Sequence, residues 1–199
     1  MPRSEHLTTM TTHGLHDERE ACLLLTTDAY AGTDRVKEFH ADLADRISDE
    51  IDSRTGDTNN VPVYSLYGKT VKPTAEMLKD VDVLVFDIQD VGARFYTYTY
   101  TMSLAMEAAA ENRTRFVVLD RPNPINGLAV EGNILEPKFA SFIGLYPIPV
   151  RHGMTIGELA KMFNEQGWLA GGVKADLVVV PVQGWRRGDW YDRTGLRFI

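Results

Sequence analysis

At 199 residues, 44% of them hydrophobic and 25% charged, the chain has the composition of an ordinary globular protein, which argues against the disordered, fibrous and membrane classes. A formal net charge of -7, with no run of basic residues, excludes the clustered cations that a nucleic-acid surface needs. No apolar stretch reaches the roughly 18 residues of a membrane-spanning helix, and Cys22, the single cysteine, has no partner for an internal disulfide and reads as a buried, inert thiol.

Taken in chain order, residues 1–20 are polar and aperiodic and read as a disordered or weakly ordered arm. His13-x-x-His16-Asp17 has a spacing that a metal ion could use, but no second ligand group follows, so the arm is the preferred reading and no metal is expected. Glu5, Asp17, Glu18 and Glu20, without an apolar centre, do not make a signal peptide, so the chain as written is expected in the cytoplasm. Residues 21–26 read as a buried strand. Val36, Phe39, Leu43 and Ile47 recur at helical spacing over 35–51, and a turn-rich loop fills 53–60. A short strand is expected at 61–66, and Pro73 with Thr74 as cap opens a brief helix.

The apolar, β-branched run at 81–88 is the strongest strand, of the kind buried on both faces in a parallel sheet. A helix over 97–112, a strand at 116–119, a helix over 155–165 ending at Gly167 and a strand at 177–182 follow. Alternating strands and helices predict an α/β fold: a doubly wound, Rossmann-like parallel sheet with right-handed crossovers and helices on both faces. Ligands bind beyond the carboxyl ends of such strands, which selects the residues that follow each apolar run.

That rule points to Asp87 and Asp90 after one strand and Asp120 after the next. Neighbouring carboxylates raise one another's pKa and can divide into an acid and a base, as glycoside hydrolysis requires; the plainer alternative for any one of them is a cap on a helix or turn. Arg94 and Tyr96 suit an anionic group and a sugar face, although the neighbouring aromatics also fit a core. In Asp120-Arg-Pro-Asn-Pro124 the two prolines stiffen a loop that presents Arg121 and Asn123. Glu131 lies in a Gly- and Asn-rich loop, and Arg151 with His152 precedes a helix N-terminus, where anions bind. Glu158, three residues after Thr155, matches a capping box and is expected to be structural. Dinucleotide, Walker, nucleophile-elbow and zinc-protease signatures are missing, so these residues alone define an α/β protein with a polar, carboxylate-rich cleft.

The segments Val63-Tyr-Ser-Leu-Tyr-Gly68, Phe86-Asp-Ile-Gln-Asp-Val-Gly-Ala-Arg-Phe-Tyr-Thr-Tyr98, Leu119-Asp-Arg-Pro-Asn-Pro124, Val130-Glu-Gly132 and Pro149-Val-Arg-His-Gly-Met-Thr155, continued by Gly184-Trp-Arg-Arg187 and Trp190, resemble the exo-β-N-acetylmuramidase NamZ family in order and spacing. The resemblance implies a Rossmann-like domain followed by a smaller one with the active cleft between them. It also implies exo-acting release of N-acetylmuramic acid from non-reducing ends of peptidoglycan fragments, with no cofactor. It adds Trp185 to the substrate-binding candidates and makes the sugar's lactyl carboxylate a partner for Arg94, Arg121 or Arg151. Full-length relatives exported to the periplasm or beyond are compatible with it.

Two departures from the family pattern stand out. Where the family carries a Pro-Glu-His-Gly loop, this chain reads Val36-Lys-Glu-Phe-His-Ala-Asp42, so Glu38 is the catalytic candidate at that place but without the glycines. The sequence stops in an apolar stretch where the family continues, so residues 21–199 are expected to form a C-terminally truncated Rossmann-like glycosidase domain. A non-catalytic muropeptide-binding domain and a Mg²⁺-dependent phosphoryl-transfer enzyme built on the Asp rim are the alternatives. A glycosidase needs its two groups roughly 5–9.5 Å apart across the scissile bond, so this chain is expected to turn over a muramyl disaccharide weakly or not at all. Rates equal to those of a full-length relative at matched concentration would contradict that expectation.

Overall fold

The computed structural model describes residues 8–15, 20–27, 64–66 and 70–196. Glu38, the 35–51 helix, His16 and Asp17 lie outside them. Six strands form one sheet in the order β3-β1-β2-β4-β5-β6: β1 Thr8–Leu15, β2 Glu20–Thr27, β3 Tyr64–Ser65, β4 Val83–Phe86, β5 Arg115–Leu119 and β6 Leu177–Val180. From β2 to β6 all neighbours are parallel, with Leu84 opposite both Leu23 and Phe116, and Val117 opposite Val178. Among the described residues the two α-helices are α1, Tyr98–Asn112, and α2, Ile156–Glu165. Neither is long and apolar enough to cross a membrane.

The α/β reading holds, with corrections to its details. The sheet is mixed, because β1 pairs antiparallel with β2 and with β3. Thr8–Leu15, inside the segment read as an arm, is a strand: its four threonines are β-branched and suit a pleated surface without supplying an apolar period. With only four residues between β1 and β2, antiparallel pairing is the option open to them, since a parallel crossover needs a dozen or more. The turns after Pro73 do not close into a helix, although Thr74 Oγ1 accepts the Met77 N–H as a cap would.

Among the described residues the helices do not divide between the two faces. α1 and α2 pack against each other and both against β5. The chain steps β4, β5, β6 in one direction, and two right-handed crossovers in the same direction put both helices on the same side. That side carries the core: Leu84 and Phe86 of β4 and Phe116 and Val118 of β5 meet Tyr100, Met102 and Met106 of α1 and Ile156, Leu159 and Phe163 of α2. Tyr146, from the long β5–α2 connection, closes it by packing on Phe163 (4.4 Å between centroids) and Trp168 (5.6 Å). The alternate residues of β4, Val83 and Val85, are buried too, so the strand is covered on both faces as its unbroken apolar run requires.

Two glycines set how tightly the carboxyl ends of the strands are closed. A Cβ on Gly157, in the first turn of α2, would lie 2.6 Å from Val179 Cγ1 and 2.8 Å from Asp120 Cγ, so the absence of a side chain lets the helix start against the ends of β5 and β6. Gly92, at φ +79°, brings the loop after β4 against Asn123, where a Cβ would stand 2.5 Å from Oδ1. The loops after β4 and β5 and the start of α2 thus meet over one rim.

Candidate functional site

Asp87, the first residue after β4, is fully buried and its Oδ1 accepts from Arg121 Nε (2.8 Å) and lies 2.5 Å from Nη2; the two side chains are 0% and 2% exposed. Asp87 Oδ2 is also buried and has no hydrogen-bond partner among the described residues. Two residues on, Gln89 Nε2 donates to Asp90 O (2.6 Å) and Pro122 O (2.9 Å), and its Oε1 is likewise buried and unpartnered. Both side chains therefore reach across to the same Arg121–Pro122 step.

Asp90 turns the other way. Its Oδ2 accepts the Gly92 N–H (2.7 Å) and its Oδ1 the Thr99 hydroxyl from α1 (3.1 Å). His152 Nε2 stands 3.3 Å from Oδ2, outside good hydrogen-bond alignment, with both side chains buried. Met154 N–H donates to His152 Nδ1 (3.2 Å), which puts the ring proton on Nε2, facing Asp90. Residues 62 positions apart in the chain thus form a buried carboxylate–imidazole pair.

Asp120 follows the plainer of its two readings. Its Oδ1 accepts from the N–H groups of Arg121 (3.0 Å) and Gly157 (2.7 Å), and its Oδ2 from the Thr155 hydroxyl (2.9 Å), so it caps the N-terminus of α2 from the end of β5. Burial pushes its carboxyl above the ordinary value of 3.8, and these donors offset that only in part. Thr155 and Glu158 form the capping box the sequence predicted, and Arg187 clamps Glu158 Oε1 while donating to Gly153 O (3.0 Å).

The three arginines expected to meet an anion are occupied by the protein. Arg94 Nη1 donates to Asn133 O (2.7 Å) and Ile148 O (2.8 Å), tying loops together. Arg121 is paired with Asp87. Arg151 donates to Glu131 Oε2 (2.7 Å) and to Ile125 O, with its guanidinium 5.6 Å from the Trp190 ring. Glu131 pairs with Arg151 through backbone as well as side chain and is exposed, unlike Asp87, Asp90 and Asp120. Asn123 is a brace, its Nδ2 donating to Met154 O (2.9 Å) and its Oδ1 accepting from Ile125 N (3.1 Å). Tyr96 packs edge-on against Tyr98 (5.2 Å). Nearby, Tyr100 donates its hydroxyl to Arg94 O, and burial pushes the phenol up to about 12.

Trp185 borders a cavity of about 430 Å³ at the exits of β5 and β6, lined also by Pro122, Gln183, Asp189 and Arg193. Arg193, Arg187 and Gln89 were not singled out by sequence reasoning. Gln89 had a signal, as a polar residue between two aspartates at a buried strand end; Arg187 and Arg193 make or face contacts that leave none.

Fold and rim together define an α/β protein of Rossmann-like layout with a buried, carboxylate-rich rim at the carboxyl ends of its parallel strands. The family described as exo-beta-N-acetylmuramidase NamZ, N-terminal, matches residues 37–199, and the chain belongs to it. Over 159 residues it is 59% identical to the peptidoglycan beta-N-acetylmuramidase NamZ of Bacillus subtilis (strain 168), a match that covers 80% of this chain and 36% of that protein. Two crystal structures of DUF1343 family proteins from Bacteroides fragilis NCTC 9343 are similar. One has a TM-score of 0.65 at 56% identity over 68% of this chain and 35% of its own, the other 0.59 at 45% identity over 61% and 34%. The chain spans about a third of the length of these relatives.

Two outcomes follow from the network around α2. Because the folded pKa of Asp120 is raised, its contribution to stability is present below the unfolded value and lost as pH rises through the folded one. Asp120→Asn, which does not ionise, should therefore gain on the wild type in denaturant titrations as pH rises through that window; a pH-independent difference would contradict the burial argument. Glu158→Gln keeps the backbone bond to Thr155 and should stay within roughly 1 kcal/mol of wild-type stability with turnover nearly unchanged. A large loss of turnover at normal stability would overturn its structural assignment.

Proposed function

We propose that this chain is the Rossmann-like part of a glycoside hydrolase that releases N-acetylmuramic acid from the non-reducing ends of peptidoglycan fragments. The observation that carries this reading is that the family match over residues 37–199 contains the whole rim, including the buried Asp90–His152 pair. The 59% identity to the B. subtilis peptidoglycan beta-N-acetylmuramidase supports the substrate class.

Within the rim the candidate carboxylates have different amounts of freedom. Asp120 is committed to the α2 N-terminus and Glu131 to Arg151, whereas Asp90, which accepts from the Gly92 N–H and the Thr99 hydroxyl, also faces a proton-bearing ring nitrogen. Asp90 with His152 is accordingly the acid/base element on this side of the scissile bond, and Asp87, held by Arg121, keeps one buried oxygen without a hydrogen-bond partner among the described residues. A glycosidase places a second group across the bond, and Glu38 is the candidate for it.

The test is release of free N-acetylmuramic acid from a defined muramyl disaccharide. Asp90→Asn and His152→Gln should each lower kcat by about 10²-fold or more, the range for removal of a general acid or base, with the thermal unfolding transition retained. Wild-type turnover by Asp90→Asn would remove the pair from the mechanism, and binding without any turnover by the wild type would favour a muropeptide-binding role instead.

A further inference from the structure

Resting on the muramyl substrate class just proposed, we infer that the cavity between Trp185 and Arg193 is a subsite for a pyranose bearing a carboxylate, with Arg193 as the anion's partner. The cavity opens beside Pro122 and Gln183, each three residues beyond the end of its strand, β5 and β6 respectively. It therefore lies on the side of the sheet where ligands of such folds bind. Its volume of about 430 Å³ is within the range of small-ligand pockets and accommodates one sugar ring.

The wall chemistry matches that ligand. Trp185 supplies an indole against which the apolar face of a pyranose can stack, and its Nε1 is buried with no hydrogen-bond partner among the described residues, leaving a donor unused. Arg193 is 74% exposed and forms only a loose i,i+4 ion pair with Asp189, its Nη1 3.8 Å from Oδ1 and beyond hydrogen-bond range, so the guanidinium can still turn its donors to a ligand carboxylate. Asp189 is turned partly away, its Oδ2 accepting the Arg186 N–H (3.0 Å), and it faces the cavity as an acceptor for hydroxyls. The backbone under Arg193 is fixed by the short 3-10 helix Tyr191–Thr194, anchored where Tyr191 N–H donates to Pro124 O (3.1 Å). Arg94, Arg121 and Arg151 already spend their donors on protein carbonyls and carboxylates, which makes them poor receivers for a ligand's charge.

Titration of this chain with N-acetylmuramic acid and with N-acetylglucosamine, which lacks the lactyl carboxylate, tests the assignment through indole fluorescence and calorimetry. N-acetylmuramic acid should bind the wild type more tightly than N-acetylglucosamine, and Trp185→Phe should abolish the fluorescence change. Arg193→Gln should weaken N-acetylmuramic acid about tenfold, the scale of one lost charge-assisted contact, while leaving N-acetylglucosamine unaffected. Equal affinity of the wild type for the two sugars, binding of neither, or unchanged N-acetylmuramic acid affinity in Arg193→Gln would overturn the subsite. Turnover assays separate this from the catalytic proposal: Arg193-dependent binding with no turnover either by this chain or by a full-length relative keeps the subsite and removes the hydrolase reading. Turnover with a KM insensitive to Arg193→Gln does the reverse.

Discussion

The buried pair between Asp87 and Arg121 is the constraint around which the rim is arranged. Among the described residues Arg121 is the largest fully buried side chain, and it lies just beyond the end of β5. Removing one partner from such a pair leaves an uncompensated buried charge, typically at about 3–5 kcal/mol, whereas replacing both by apolar groups is often neutral. A buried ion pair is thus weak evidence for stability in itself. What it does here is fix where the chain goes: the guanidinium pins the exit of β5 to the exit of β4, and Gln89 repeats the connection one residue further along by bonding Pro122 O.

From that junction two separate polar networks diverge. One runs from Asp120 through Thr155 and Glu158 to Arg187, and it seats the first turn of α2 on the end of β5. Its groups satisfy donors that a helix start leaves open, and every strong acceptor in it is taken by the protein. The other comprises Asp90, Thr99 and His152 and joins the loop after β4 to the loop before α2. Here the imidazole nitrogen that carries the proton meets a carboxylate without a well-formed bond between them, leaving His152 Nε2 unsatisfied at a buried position, while Asp90 accepts from Gly92 and Thr99. Such positions tend to be functional sites rather than structural ones.

The parts legible in the sequence were those with local causes. β4 announced itself by an unbroken apolar run, and α2 by Thr155 and Glu158 at box spacing; both elements formed at those places. Thr8–Leu15 gave no such signal because its threonines have neither an apolar period nor a turn residue at a diagnostic place. The three aspartates were located on the rim by the rule that ligands sit beyond strand ends, yet the rule is blind to what else competes for each carboxylate. Asp120 shows the difficulty: the donor that claims it most closely, Gly157 N–H, comes from 37 residues downstream.

The same blindness explains the arginines. An arginine near aspartates and tyrosines reads as an anion receiver, but Arg94 is spent on carbonyls 39 and 54 residues away, in a connection between β5 and α2 too long to be held by secondary structure of its own. The 36 residues between β5 and α2 contain only a short 3-10 helix and isolated bridges, so side-chain clamps replace the missing ladders. Arg94, Arg151 and Asn123 are those clamps. Rigid loops over a strand rim are what a site needs to hold its groups in fixed directions. The cations that the sequence offers to a substrate are thereby the ones that build the walls.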